Sequence, residues 1–220
     1  ELTIVELCEK KDISKVKGVA FYKNGKIQFS EKRPLSDISK FPLPAFHLLP
    51  MKKYSYEIMG NPFSILETTR GCPFQCIFCC VNFTVKSKVR FHSPNYIVDE
   101  VDILVNKYKA RWIFFTDDTF LINKSHTEKL CNLLIDKGLN KRVSWEVQIR
   151  SNLIKEHDLN LLRLMRRAGC EQVDFGFESG NQRMLTLIKG QGITVEDHIR
   201  AIEMTKKAGI RVMGTFILAT

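Results

Sequence analysis

The sequence predicts an α/β fold, an incomplete (β/α) barrel of about five parallel strands, preceded by a β-hairpin and a proline-rich connector. Three observations predict it. From residue 64 onward, short apolar runs alternate with stretches of helical periodicity, the rhythm of parallel strands joined by right-handed crossovers. Before that region, Asn24-Gly25 lies between Val19–Tyr22 and Ile27–Phe29, which is a two-residue hairpin signal. Between the two regions, Pro34, Pro42, Pro44 and Pro50 interrupt a segment that also carries apolar residues. That segment reads as an extended connector lying against a surface, because proline removes a donor and fixes φ. The expected division is 1–63, the tail of a preceding domain plus connector, and 64–220, the barrel core.

Each element has its own signal. Ser64–Thr68 is a short strand running into a cysteine-bearing loop. Residues 94–108 have helical spacing, with Ser93 as N-cap and Pro94 in the first turn. Trp112–Thr116 reads as a buried strand, 124–137 as a helix stopped by Gly138, and Val143–Gln148 as the third strand. Residues 156–168 form a helix ended by Gly169, followed by the strand Gln172–Phe177. A short helix is expected over 181–189. A longer one follows from the Thr194 cap to Ala208, with Glu196 and Asp197 in its first turn. Gly209 stops it, and Arg211–Leu218 is the fifth strand. The chain begins at Glu1 rather than Met, and the last strand runs to Thr220. Both facts are read as those of a piece of a longer protein.

Composition narrows the class. No apolar run approaches a membrane span, and the N-terminus lacks the basic start and apolar run of a signal peptide. The formal charge of +10 would suit an anionic partner such as RNA. The basic residues are spread with no run of five, which favours a lysine-rich surface instead. Seven cysteines without paired spacing argue against a secreted disulfide framework and for a reducing, cytoplasmic setting. Cys8, Cys131 and Cys170 stand in apolar or helical contexts and read as inert buried thiols, and Cys80 as a packed one.

The remaining three cysteines carry the chemistry. Cys72, Cys76 and Cys79 stand at C-x3-C-x2-C spacing, with Phe78 just before the last. Three thiolates on one loop can hold three irons of a cubane cluster whose usual complement is four, which leaves one iron open. The other reading is structural zinc, with His92 as a fourth ligand, although zinc usually takes C-x2-C pairs. In a parallel barrel functional groups gather at the C-terminal strand ends. There the sequence puts the Cys loop, then Asp117 and Asp118, then Arg150, then Glu178. One of the two aspartates could equally cap the following helix.

Cys72-x3-Cys76-x2-Cys79 with Phe78 resembles the signature of the radical S-adenosylmethionine (radical SAM) superfamily over roughly residues 60–220. The wording around it (Glu67–Pro73, Thr116–Phe120, Gly176–Gly180) is similar to the branch with a cobalamin-binding domain ahead of the barrel. The resemblance implies a [4Fe-4S] cluster on Cys72, Cys76 and Cys79. Its open iron would chelate S-adenosylmethionine, whose reductive cleavage gives methionine and a 5′-deoxyadenosyl radical. It implies backbone beside Phe78 meeting the adenine, Asp117 on the methionyl ammonium, Arg150 on its carboxylate, Glu178 on the ribose, and Gly214 to Leu218 along the adenine. The family often has Gly-Gly-Glu where this chain has Asp117-Asp118, and no D-x-H-x-x-G cobalamin motif is present, so cobalamin would come from a domain outside this chain.

Implied partners are a small-molecule substrate and an electron donor such as flavodoxin or ferredoxin. The leading reading is a radical SAM enzyme, with methyl transfer or a related reaction if cobalamin is used. A tRNA methylthiotransferase-like enzyme shares the Cys spacing, but it would need three further upstream cysteines where this chain has only Cys8. A zinc-stabilised or electron-carrying iron–sulfur binding module is the reading from another class.

Overall fold

The computed structural model of the chain describes residues 1–10, 12–56, 62–81 and 88–218. The chain divides into two compact units, Glu1–Ile38 and Ser39–Thr220.

The first unit opens with α1 (Leu2–Glu9), which the sequence reading did not assign. Its β-branched and apolar residues carry little helical signal. The expected hairpin is present: β1 (Ala20–Lys23) pairs antiparallel with β2 (Lys26–Phe29), with Lys23 opposite Lys26. Asn24 and Gly25 both take positive φ, 52° and 74°, which matches the right-handed twist of the strands they join.

The proline-rich segment carries only short 3-10 turns, at Ile38–Lys40, Phe46–Leu48 and Met51–Lys53. Phe46 and Met51 are buried in the main hydrophobic core. Phe46 meets Tyr108 edge-on at 5.9 Å, and the Pro42 carbonyl accepts from the Tyr96 hydroxyl at 3.0 Å. Between Pro42 and Met51 the connector therefore packs on the barrel core, as its apolar residues predict.

The core is one parallel sheet. Its strands are β3 (Phe63–Leu66), β6 (Trp112–Phe115), β7 (Ser144–Gln148), β8 (Cys170–Glu178) and β9 (Arg211–Phe216), in that spatial order. A two-stranded ribbon, β4 (Thr69–Arg70) and β5 (Arg90–Phe91), flanks the Cys loop; it was not foreseen, since two-residue strands have no periodicity to read. Helices α2 (Pro94–Asn106), α3 (Lys124–Asp136), α4 (Leu159–Arg167), α5 (Gln182–Lys189) and α6 (Val195–Lys207) fill the crossovers. Ser93 caps α2 by accepting from Tyr96 N, and Thr194 with Asp197 forms a capping box on α6. Neither Asp117 nor Asp118 caps α3; Asn123 does, accepting from His126 N.

Trp145, Phe115 and Phe120 form the aromatic centre of the core, and Trp145 Nε1 donates to the Ala168 carbonyl at 2.9 Å. Among the described residues no helix is long and apolar enough to cross a membrane.

Candidate active site

A cavity of about 250 Å³ opens at the C-terminal ends of β7, β8 and β9. Cys72, Cys76 and Cys79 all line it, together with Phe74, Phe78, Asp118, Gln148, Arg150, Asp174, Glu178, Lys189, Met213 and Thr215. The rim that the strand order predicts thus brings the three spaced thiols, Phe78, Arg150 and Glu178 to one space.

The Cys loop is seated from several sides. Ahead of it, Asp117 accepts from Thr68 N at 2.6 Å, from Thr69 N at 2.9 Å and from the Thr68 hydroxyl. Gly71 N donates to Asp118 at 3.0 Å. Within it, Ile77 N donates to the Ile188 carbonyl at 2.9 Å. Burial pushes the Cys72 thiol up, with Asp118 and the other two thiols adding to the effect. Metal binding by these thiols as thiolates would release the protons they carry.

Arg150 spans the site. It donates from Nη1 to Cys76 Sγ at 3.0 Å, from Nη2 to the Lys189 carbonyl at 3.0 Å and from Nε to Asn152 at 3.1 Å. Its guanidinium lies 4.4 Å over the Phe74 ring. Two of its five N–H groups are left over from these three bonds.

Glu178 closes β8 at a bulge. Gly176 pairs with Thr215, but Glu178 pairs with Phe216, so one extra residue sits on β8. Glu178 takes the left-handed φ of 65°, the re-aiming of a side chain that bulges produce. Its carboxylate lies 3.6 Å from Lys189 Nζ, which also donates to the Gly176 carbonyl. Burial lowers the Lys189 pKa, opposed by Glu178. Sequence reasoning missed Lys189; a lysine in the last turn of a helix is usually a solvated cap, and nothing local announces that it turns inward.

The structure does not place every expected residue on the cavity. Asp117 is 1% exposed and its carboxylate serves Thr68 and Thr69, so Asp118 is the aspartate that faces the space. Burial raises the Asp117 pKa to about 6, against the pull of those hydrogen bonds. Gly214 and Leu218 stand off it as well. Successive strand residues alternate faces, so β9 presents Met213 and Thr215, while a Cβ on Gly214 would fall 2.6 Å from the Phe177 ring and Leu218 is 86% exposed.

Asp174, which lines the cavity, belongs to a buried polar group on the sheet. Gln172 Nε2 donates to Asp174 at 2.8 Å and to Glu146 at 3.1 Å, and neither Gln172 nor Glu146 reaches the cavity lining. Burial raises the pKa of both acids. The alternation Gln172, Asp174, Gly176 was the available signal, polar or small residues at period two in an otherwise apolar strand.

The donor set suits a cluster better than one ion. Cys72, Cys76 and Cys79 line one cavity, an all-thiolate donor set of the kind that holds iron–sulfur clusters. His92 is buried and stacked on Tyr96 at 4.3 Å, away from the cavity lining.

Residues 66–220 match the family described as the Radical SAM superfamily. The uncharacterized methyltransferase PH0819 of Pyrococcus horikoshii is 34% identical over 223 residues, covering 99% of this chain and 47% of that protein. The anaerobic magnesium-protoporphyrin IX monomethyl ester cyclase of Cereibacter sphaeroides is 29% identical, covering 92% of this chain and 33% of that protein. Among solved structures, the cobalamin-dependent S-adenosylmethionine radical enzyme OxsB, with aqua-cobalamin and S-adenosylmethionine bound, shares the fold with a TM-score of 0.82 at 20% identity. That likeness covers 98% of this chain and 31% of OxsB. This chain spans less than half the length of each of these proteins. With the matched span taking in all three spaced thiols, the chain belongs to the radical SAM superfamily.

Proposed function

We propose that this chain is the catalytic core of a radical SAM enzyme that works with cobalamin, held outside residues 1–220, to transfer a methyl group to a small molecule. The observation that carries this is the convergence of Cys72, Cys76 and Cys79 with Arg150, Glu178 and Lys189 on one cavity. The methyltransferase relative and the cobalamin-dependent neighbour support the choice of reaction class. When bound, a reduced [4Fe-4S] cluster supplies the electron that splits the sulfonium of S-adenosylmethionine into methionine and a 5′-deoxyadenosyl radical, and cobalamin supplies a methyl carrier.

The chain's own residues bind, orient and tune. Cys72, Cys76 and Cys79 hold the cluster. Arg150, donating to Cys76 Sγ, withdraws electron density from that ligand, a hydrogen bond of the kind that sets cluster potential. Its two spare N–H groups and Lys189 are the cations for the methionyl carboxylate. Asp118, facing the cavity, suits the ammonium in place of the buried Asp117. Glu178 accepts from the ribose hydroxyls, and the half-exposed Phe78 meets the adenine. Gln148, Asp174, Met213 and Thr215 leave a partly polar floor for the substrate.

Anaerobic reconstitution with iron and sulfide is the test. About four irons per chain with broad visible absorption, and release of 5′-deoxyadenosine on reduction, is the expected result. One bound zinc and no colour sinks the reading. Cys76→Ala should abolish both cluster and cleavage, since the three ligands act as one unit; iron content and product assays check it.

A further inference from the structure

We propose that His198 is a positioning residue: a single buried imidazole on α6 fixes Arg150 and Glu178 relative to each other and so sets the affinity for S-adenosylmethionine. The inference rests on the function proposed above for this cavity.

His198 itself does not line the cavity. It is 6% exposed, on the inward side of α6 beside the buried Asp197 and Ala201. Its Nδ1 lies 2.7 Å from the Ser151 hydroxyl, and Ser151 is fully buried. Ser151 directly follows Arg150, whose backbone N donates to Thr119 Oγ1 at 3.3 Å. The Arg150–Ser151 turn is thereby held at both of its residues, by β6's following loop on one side and by α6 on the other. The other face of the ring packs on Phe177, at 4.9 Å between centroids. Phe177 directly precedes Glu178. One ring therefore touches the neighbour of each rim residue.

A purely space-filling role fits poorly. Nε2 is buried and has no hydrogen-bond partner. An ill-satisfied buried polar atom is costly to keep, so an apolar side chain would serve packing better. Burial, Lys189 and Arg150 all push the ring's pKa down. That shift favours the neutral ring, and its Nδ1 pairs with the Ser151 hydroxyl, which can donate or accept to suit the tautomer.

The test uses the complete reconstituted holoenzyme and measures the dissociation constant of S-adenosylmethionine by equilibrium dialysis, with iron content and Tm alongside. His198→Leu and Ser151→Ala should each weaken binding about tenfold, the scale of one lost buried hydrogen bond, with full iron. The double variant should be no weaker than either single, because the two act through one bond. His198→Asn, whose amide can stand where Nδ1 stands, should bind within about threefold of the parent. Leu and Ala variants that bind like the parent overturn the inference, as does an Asn variant as weak as Leu. If the Leu variant does not fold, Ser151→Ala and His198→Asn decide it alone. A parent that takes up iron but binds no S-adenosylmethionine overturns the proposed function and this inference with it. Equal binding in all variants overturns this inference only.

Discussion

Gly176 is small for a reason that the structure makes specific. A Cβ there would fall 2.4 Å from Glu178 Oε1 and 3.4 Å from Lys189 Nζ. Both are ends of flexible side chains and can yield, so Gly176→Ala should cost stability little, within about 1 kcal/mol. It should nonetheless displace the carboxylate, and S-adenosylmethionine should bind roughly tenfold more weakly, as after loss of a good hydrogen bond to a charged group. Dialysis and a thermal melt together check this pairing. A second residue speaks to pH. Glu100 on α2 is buried, and burial, with Glu67 nearby, raises its pKa from the ordinary 4.5 to about 7. The folded state therefore holds its proton over a range where the unfolded state has lost it. Stability falls as pH rises from about 4.5 through 7, and the penalty is fully present above that. Glu100→Gln should remove this dependence and stabilise the chain at pH 8.5 by about 2–3 kcal/mol, with no gain at pH 4; urea melts at the two pH values measure it.

Among elements, the Cys loop and its ribbon show what local sequence can and cannot say. The C-x3-C-x2-C spacing is legible because three ligands on a short loop leave few alternatives. The hairpin, the caps at Ser93 and Thr194, and the strand order were legible for similar reasons, since each rests on neighbours in sequence. The β4–β5 ribbon was not, being two residues long on each side. Gly214 shows a different limit. The strand was foreseen, but a shift of one residue in facing moves a side chain to the opposite surface, and only packing against Phe177 settles that facing. Lys189 and His198 depend on how helices dock on the sheet, which no local window contains. The ribbon also makes a prediction. Gly71 takes φ of 101°, and a Cβ there would meet the Lys88 carbonyl at 2.6 Å. Both strain and clash are with backbone, which cannot yield cheaply. Gly71→Ala should displace β4 from β5 and destabilise by about 2–4 kcal/mol, with iron uptake falling below one cluster per two chains. Full iron and an unchanged Tm would contradict it.

At the scale of the whole molecule, the barrel core holds the site through backbone as well as side chains. The end of α5 offers two carbonyls to it: that of Ile188 to Ile77 N in the Cys loop, and that of Lys189 to Arg150. These are acceptors that a helix C-terminus always leaves over. Iron in the loop would therefore be felt at the end of α5, far along the chain. Amide hydrogen exchange on the loaded and the chelator-stripped protein should show slowed exchange at Ile77 with metal, and at Gly190, whose N donates to Thr186 within that same helix end. Slowing confined to the loop would mean that the two segments open independently. If they open together, loss of metal unlatches the last turn of α5, and a cluster-free chain becomes susceptible to proteases at Lys189. Cellular turnover then discriminates loaded from empty protein through the two bonds at the end of one helix.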